Sequence, residues 1–234
     1  MGFDSLVPRL IRAVIFDLDG LLLDSESAWD DGRRALVAEH GLDWPDGATR
    51  AMMGMSSPEW SRYVRDELGV PLDPGEISSR VVAHVLATYE ERLPLLPGAE
   101  AAVERIAARW PLALASSSNR EVIETVMATS GWGEVFQAWV SSEEVERGKP
   151  APDVYLEAAH RLGVEPSLSA AIEDSANGIR SAHAAGMHVV AIPNRAFPPP
   201  AGVLALANVV LESIKELDPD VLKAAERLSS PSSG

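Results

Sequence analysis

The chain contains no cysteine among its 234 residues. This absence excludes disulfide bonds, thiolate nucleophiles and metal sites built on cysteine. Long hydrophobic runs are also absent, since no segment reaches the roughly 18 consecutive apolar residues of a membrane span. The N-terminus lacks the charged-then-apolar pattern of a secretion signal. We therefore expect a soluble cytoplasmic protein with no membrane partner.

Positive charge is scarce. The chain has 20 basic and 35 acidic residues, and its net charge of −15 argues against a nucleic-acid partner. An anionic substrate must therefore be attracted by a local positive site. The hydrophobic content of 46% is ordinary for a globular protein, and the length allows one sizeable core with a smaller module.

The most informative segment is an apolar run at residues 13–16 that ends in two carboxylates, Asp17 and Asp19. In an extended chain these two side chains project to the same side, and Gly20 permits a turn directly after them. One carboxylate can attack an electrophile while the other transfers protons. A calcium loop is excluded, because its fifth position needs an oxygen ligand and here holds Leu21. The remaining alternative is a pair of solvated residues at a strand end.

A second apolar run, residues 111–115, leads into hydroxyl side chains and then a helix start. Ser118 or Asn119 can cap that helix, which leaves Ser116, Ser117 and the neighbouring N–H groups to face an anion. The alternative is that these residues serve only the turn and the cap.

Further along, residues 147–153 place Lys149 between a glycine and two prolines. This constraint favours a phosphate ligand over a solvated surface charge. The segment is not a P-loop, because the upstream glycine and the following serine or threonine are absent.

An acidic pair follows a fourth apolar segment, residues 169–172. Asp174 can join Asp17 in an oxygen-rich site of the kind that Mg²⁺ prefers. Glu173 can bind the metal directly or orient a metal ligand through a hydrogen bond.

The order of elements predicts an α/β fold with a parallel sheet. We expect strands at residues 11–16, 111–116, 138–141, 169–173, 187–192 and 208–211, with helices between most of them. The stretch 25–93 lacks strands and shows helical patterns at residues 27–40, 58–68 and 76–92. We therefore predict a core domain formed by residues 1–24 and 94–228, a helical cap domain at 25–93, and a disordered tail at 229–234. The cap linkers are expected at residues 24–25 and 94–98.

Taken together, these strand-end motifs resemble the four motifs of the haloacid dehalogenase superfamily. The closest resemblance is to the capped phosphatase and β-phosphoglucomutase-like subgroup, and it covers nearly the whole chain. It implies a Rossmann-like core with an inserted cap, an Mg²⁺ cofactor and a small phosphorylated metabolite as substrate. It also implies roles for the motif residues: Asp17 as nucleophile, Asp19 as general acid and base, Ser116, Ser117 and Lys149 as phosphate ligands, and Asp17, Asp19, Glu173 and Asp174 as the metal group.

Two alternatives stay open at this stage. A phosphomutase of the same subgroup carries a cap histidine and a cap arginine, and an ungapped alignment places Trp29 and Ser57 at those positions, which favours a phosphatase. A non-catalytic protein of the same fold would bind a phosphorylated ligand without turnover. By resemblance we expect the substrate to be a sugar or polyol phosphate, and we expect a monomer.

Overall fold

A computed structural model of the protein describes residues 10–52, 55–195 and 197–228. The predicted tail at 229–234 lies outside the described residues. The strands are β1 (Ala13–Phe16), β2 (Leu112–Ser116), β3 (Phe136–Ser141), β4 (Ser169–Glu173), β5 (His188–Ala191) and β6 (Val209–Val210). The helices are α1 (Glu26–Glu39), α2 (Ala48–Met52), α3 (Ser57–Asp66), α4 (Pro74–Glu91), α5 (Ala99–Ala107), α6 (Arg120–Ser130), α7 (Asp153–Leu162), α8 (Ala176–Ala184), α9 (Ala201–Leu204) and α10 (Pro219–Leu228).

The six strands form one parallel sheet in the order β3-β2-β1-β4-β5-β6. The central strand β1 pairs with β2 on one side and with β4 on the other. The chain therefore reverses its direction of winding between β1 and β4. In open parallel sheets, binding sites lie outside the carboxyl ends of the strands at such a switch point.

Strands β1, β2, β4 and β5 are buried on both faces, so they read as nearly continuous apolar runs. Because side chains alternate along a strand, β1 sends Val14 and Phe16 into one apolar cluster and Ile15 into another. The second cluster is completed by α7 and α8, through residues such as Tyr155 and Ile179. This confirms the predicted α/β fold with a Rossmann-like core.

Residues 26–91 contain only helices in the part that the structure describes, and they pack on one another. α4 lies against both α1 and α3, and buries Val81 beside Trp29 and Val64 in the larger apolar cluster. The chain enters and leaves this helical unit side by side, since the Asp24 N–H donates to the Pro94 carbonyl at 2.8 Å. The helical cap is thus present, while its boundaries at residues 25 and 93 stay a prediction.

The six strands and the helices α1, α3 and α4 lie within two residues of their predicted bounds, and β4 coincides with its prediction. The five-residue helix α2 was not predicted. None of the helices in the described ranges is both long and apolar enough to cross a membrane.

Candidate active site

Three neighbouring strands bring the predicted site residues to one edge of the sheet. Asp17 directly follows β1, while Ser116 ends β2 and Glu173 ends β4. Since β2 and β4 flank β1, these three side chains converge at the switch point.

The turn after β1 depends on Gly20. Its φ of 78° lies in the left-handed region that favours glycine. A Cβ atom at this position would also collide with the carboxylate of Asp174. Glycine therefore allows the loop after Asp19 to lie directly against the acidic loop after β4.

Lys149 lies at the centre of the site and is almost fully buried. Its ammonium group donates at 2.6 Å to Asp17 Oδ1, at 2.6 Å to Glu173 Oε1 and at 3.0 Å to the Ala115 carbonyl. Burial lowers the pKa of Lys149, but the charges of Asp17 and Glu173 outweigh burial and raise it overall. The lysine is therefore a fixed cation beside Asp17 rather than a mobile surface charge.

Both carboxylate oxygens of Glu173 already accept hydrogen bonds. Oε1 accepts from Lys149 and from the Tyr155 hydroxyl at 2.8 Å. Oε2 accepts from the N–H groups of Asp174 and Ser175 and from the Ser175 hydroxyl, at 3.1–3.2 Å. This saturation favours the supporting role for Glu173 over direct metal binding.

An acidic cluster remains at the edge of the sheet. Carboxylate oxygens of Asp17, Glu173 and Asp174 lie within 4.8 Å of one another. Burial, only partly opposed by Lys149, raises the pKa of Asp17 to about 8. Burial and the neighbouring Asp17 raise the pKa of Asp174 well above its ordinary value.

Two buried carboxylate oxygens at this edge of the sheet have no hydrogen-bond partner among the described residues. They are Oδ1 of Asp19 and Oδ1 of Asp174. A buried carboxylate oxygen without a partner is costly, and a bound cation removes that cost. Hard oxygen donors of this kind fit a divalent cation such as Mg²⁺. This set of oxygen donors therefore fits a divalent metal ion.

Asp19 is positioned by the serine loop after β2. Its Oδ2 accepts from the Ser118 hydroxyl at 2.6 Å and from the Ser116 hydroxyl at 3.2 Å. The Ser118 N–H in turn donates to Ser116 Oγ at 2.9 Å. Sequence reasoning considered Ser118 only as a helix cap, because nothing in the order of residues links it to Asp19.

Ser117 and Asn119 contact other groups than Ser116 and Ser118, whose hydroxyls donate to Asp19. Ser117 lines the cavity, as a phosphate ligand must, and its carbonyl accepts from the Ser142 hydroxyl at 3.1 Å. Asn119 begins α6 but makes no side-chain cap. Its side chain accepts instead from the Ser57 hydroxyl of the cap at 2.6 Å and donates to Glu143 at 2.6 Å.

The site opens into a cavity of about 340 Å³ between the core and the helical cap. Asp17, Asp19 and Lys149 lie on the core side of this cavity. Its cap side is formed by Ser25, Glu26, Trp29, Arg33, Thr49, Met52, Met55, Ser57 and Trp60. The cavity thus lies between the carboxylates of Asp17 and Asp19 and a cap wall that combines apolar and polar side chains.

Comparisons with known proteins agree with this geometry. The family model described as haloacid dehalogenase-like hydrolase matches residues 11–186. Hexitol phosphatase B of Escherichia coli O157:H7 is 38% identical over 218 residues, which cover 90% of this chain and 96% of that protein. Fructose-1-phosphate phosphatase YqaB of Escherichia coli K12 is 32% identical over 182 residues, which cover 76% of this chain and 94% of that protein.

A solved structure shares the fold over nearly the whole chain. CbbY from Rhodobacter sphaeroides, crystallised in complex with phosphate, superposes with a TM-score of 0.81 at 27% identity. The match covers 92% of this chain and 100% of the CbbY chain.

Proposed function

Because this chain belongs to the haloacid dehalogenase-like hydrolases and is a phosphoric monoester hydrolase, we propose that it hydrolyses a sugar or polyol phosphate through an aspartyl-phosphate on Asp17. One observation carries the proposal: Asp17 lines the cavity while its Oδ1 accepts a hydrogen bond from Lys149 Nζ at 2.6 Å. A carboxylate fixed in this way can attack along one direction only.

In this proposal Asp17 and Asp174 bind the cation, and Asp19 lies next to them. Glu173 supports the site through its hydrogen bonds to Lys149 and to the Asp174 N–H. When bound, Mg²⁺ supplies positive charge that favours the ionised form of Asp17 and neutralises the phosphoryl oxygens. The positive charge of Lys149 adds to this neutralisation, and the Ser117 hydroxyl, which lines the cavity, donates to a phosphoryl oxygen.

In the first step an oxygen of Asp17 attacks phosphorus and the bond from phosphorus to the substrate alcohol breaks. Asp19 gives its proton to the departing alkoxide. In the second step a water attacks the same phosphorus while Asp19 takes its proton, and the bond from phosphorus to Asp17 breaks. The hydroxyls of Ser116 and Ser118 hold Asp19 in place for both transfers.

The names of the relatives and the size of the cavity support the proposed substrate class. Two relatives that match most of this chain are named for hexitol phosphates and fructose 1-phosphate. A cavity of about 340 Å³ lies at the small end of the roughly 300–1,000 Å³ range of ligand pockets. This size supports a substrate with one short carbon chain.

Hydrolysis is favoured over phosphoryl transfer back to a sugar. Trp29 occupies the cap position at which a mutase has its histidine. This tryptophan is buried and lines the cavity. Ser57 replaces the cap arginine, and its hydroxyl is committed to Asn119. Among the described residues that line the cavity there is no histidine.

The experiment is a phosphate-release assay on a panel of phosphorylated metabolites, with Mg²⁺ and with EDTA. Three proteins are compared: wild type, Asp17→Asn, and Asp31→Asn as a matched control at an exposed position of α1. We expect metal-dependent release by wild type and the control, and a loss of at least about 10³-fold in Asp17→Asn.

Two outcomes contradict the proposal. Conversion of glucose 1-phosphate to glucose 6-phosphate without phosphate release would identify a mutase. Stoichiometric binding of Mg²⁺ and phosphate with no turnover of any substrate would identify a binding protein of the same fold.

A further inference from the structure

A half-buried arginine of the cap faces the cavity opposite the nucleophile. Arg33 lies on α1 and lines the cavity together with Trp29 and Trp60. Its guanidinium carbon is 4.9 Å from the ring centre of Trp60 and 5.7 Å from that of Trp29. The two indole rings meet edge to face, with centres 6.1 Å apart. The rings thus hold the guanidinium in one orientation.

This arginine has no anionic partner of its own. None of the ion pairs within 4.0 Å in the described ranges includes Arg33, and its Nε is buried without a hydrogen-bond acceptor. The neighbouring Arg34 differs, because it pairs with Asp30 at 2.5 Å. Burial lowers the pKa of Arg33 to about 10, so it stays charged at neutral pH. A desolvated cation whose donors are unused is a binding group without its ligand.

The charges around Arg33 decide which ligand it suits. The charges of Asp30, Asp19 and Glu26 act on the guanidinium, and Asp19 and Glu26 line the same cavity. No lysine or second arginine is among the described residues on the cap side of the cavity. A second phosphate in this part of the cavity would meet the cation of Arg33 together with the carboxylates of Glu26 and Asp19, so its net attraction is small. Hydroxyl groups, in contrast, can accept from Arg33 and donate to Glu26.

The aromatic wall supports the same ligand. Trp29 and Trp60 line the same cavity as Arg33 and Glu26 and present apolar surface there. A polyhydroxylated carbon chain has alternating C–H and O–H groups, and can therefore contact the indoles while its hydroxyls bond to the polar side chains.

We propose that Arg33, Glu26 and Trp29 form a subsite for the hydroxyl groups of a substrate with a single phosphate, such as a hexitol or ketose monophosphate. The subsite selects monophosphates over bisphosphates. This inference rests on the proposed function, since it assumes that the phosphate itself binds beside Asp17.

The test is designed to be independent of turnover. Isothermal titration in the presence of Mg²⁺ measures the Kd of sorbitol 6-phosphate, fructose 1-phosphate and ethyl phosphate for Asp17→Asn protein. Ethyl phosphate is the reference, because it has the phosphate and no hydroxyl. The same background receives Arg33→Gln or, as a matched control on the same helix, Arg34→Gln.

We expect Arg33→Gln to raise the Kd of the tighter sugar phosphate relative to ethyl phosphate by about tenfold or more, which corresponds to the loss of one charge-assisted hydrogen bond. Arg34→Gln is expected to leave that ratio within twofold. Fructose 1,6-bisphosphate is expected to bind more weakly than fructose 1-phosphate.

Two results overturn the subsite: an unchanged ratio in Arg33→Gln, or a Kd of fructose 1,6-bisphosphate that is equal to or lower than that of fructose 1-phosphate. Failure of the proposed function would be seen in the phosphate-release assay, as absence of phosphate release by the wild-type protein.

Discussion

Lys149 joins two carboxyl groups in the interior of the protein, and its replacement by methionine leaves the fully buried Glu173 without its counter-charge. The side chains of Lys149, Asp17 and Glu173 are 4%, 8% and 0% exposed. Removing one partner of such a buried group costs about 3–5 kcal/mol of unfolding free energy. For a chain of this size, each kcal/mol lowers Tm by about 2–4 °C. We therefore expect Lys149→Met to unfold roughly 10 °C below wild type.

The assay is thermal and urea unfolding in EDTA, so that no cation replaces the lost charge. Lys223→Met is the matched control, because Lys223 is 48% exposed and pairs with Asp220 on the surface. Its loss is expected to cost less than about 1 kcal/mol. The double variant Lys149→Met with Glu173→Gln should regain part of the loss, since one buried charge has been removed with its partner. The reasoning is refuted if Lys149→Met is as stable as Lys223→Met.

The same contacts support three further predictions. In EDTA, the pKa of Asp17 is about 8 in the folded chain against an ordinary value of 3.8, so the folded state holds the extra proton. Stability should therefore fall between pH 4 and pH 8, by at most about 1.4 kcal/mol per pH unit for this group. Differential scanning calorimetry with and without Mg²⁺ measures this fall, and a rise in Tm over that range would contradict it. Ser57→Ala removes the 2.6 Å bond to Asn119 between cap and core, and should raise KM several-fold with little change in Tm; an unchanged KM in steady-state kinetics would show that this bond does not hold the cap. Gly178→Ala places a methyl group against the carboxylate of Glu173, and should lower unfolding free energy by about 1–3 kcal/mol in urea titrations; a variant as stable as wild type would contradict the close packing.

The sheet was predictable because buried parallel strands are continuously apolar. β4, for example, has the predicted bounds, and the run before Asp17 led directly to β1. The start of β3 was missed by two residues, because the exposed Gln137 interrupts its apolar pattern. The short helix α2 was missed because five residues that include Thr49 and Arg50 carry no clear period.

For the site, the sequence could place acids and hydroxyls at strand ends, but not the bonds between them. The hydrogen bond from Tyr155 to Glu173 joins residues 18 apart, and that from Ser118 to Asp19 joins residues 99 apart. Arg33 lies in an ordinary charged stretch of α1, and only the fold brings it opposite Asp17 in one cavity. Such contacts depend on packing between elements, which the order of residues does not encode locally.

The central claim is that Asp17 carries the phosphoryl group during turnover. The most direct measurement is rapid acid quench of wild-type protein during hydrolysis of its best substrate, followed by mass spectrometry of the peptides. We predict one phosphoryl group on the peptide that contains Asp17, and none in the Asp17→Asn variant. Full turnover by Asp17→Asn, with no phosphorylated peptide in either protein, would contradict the account.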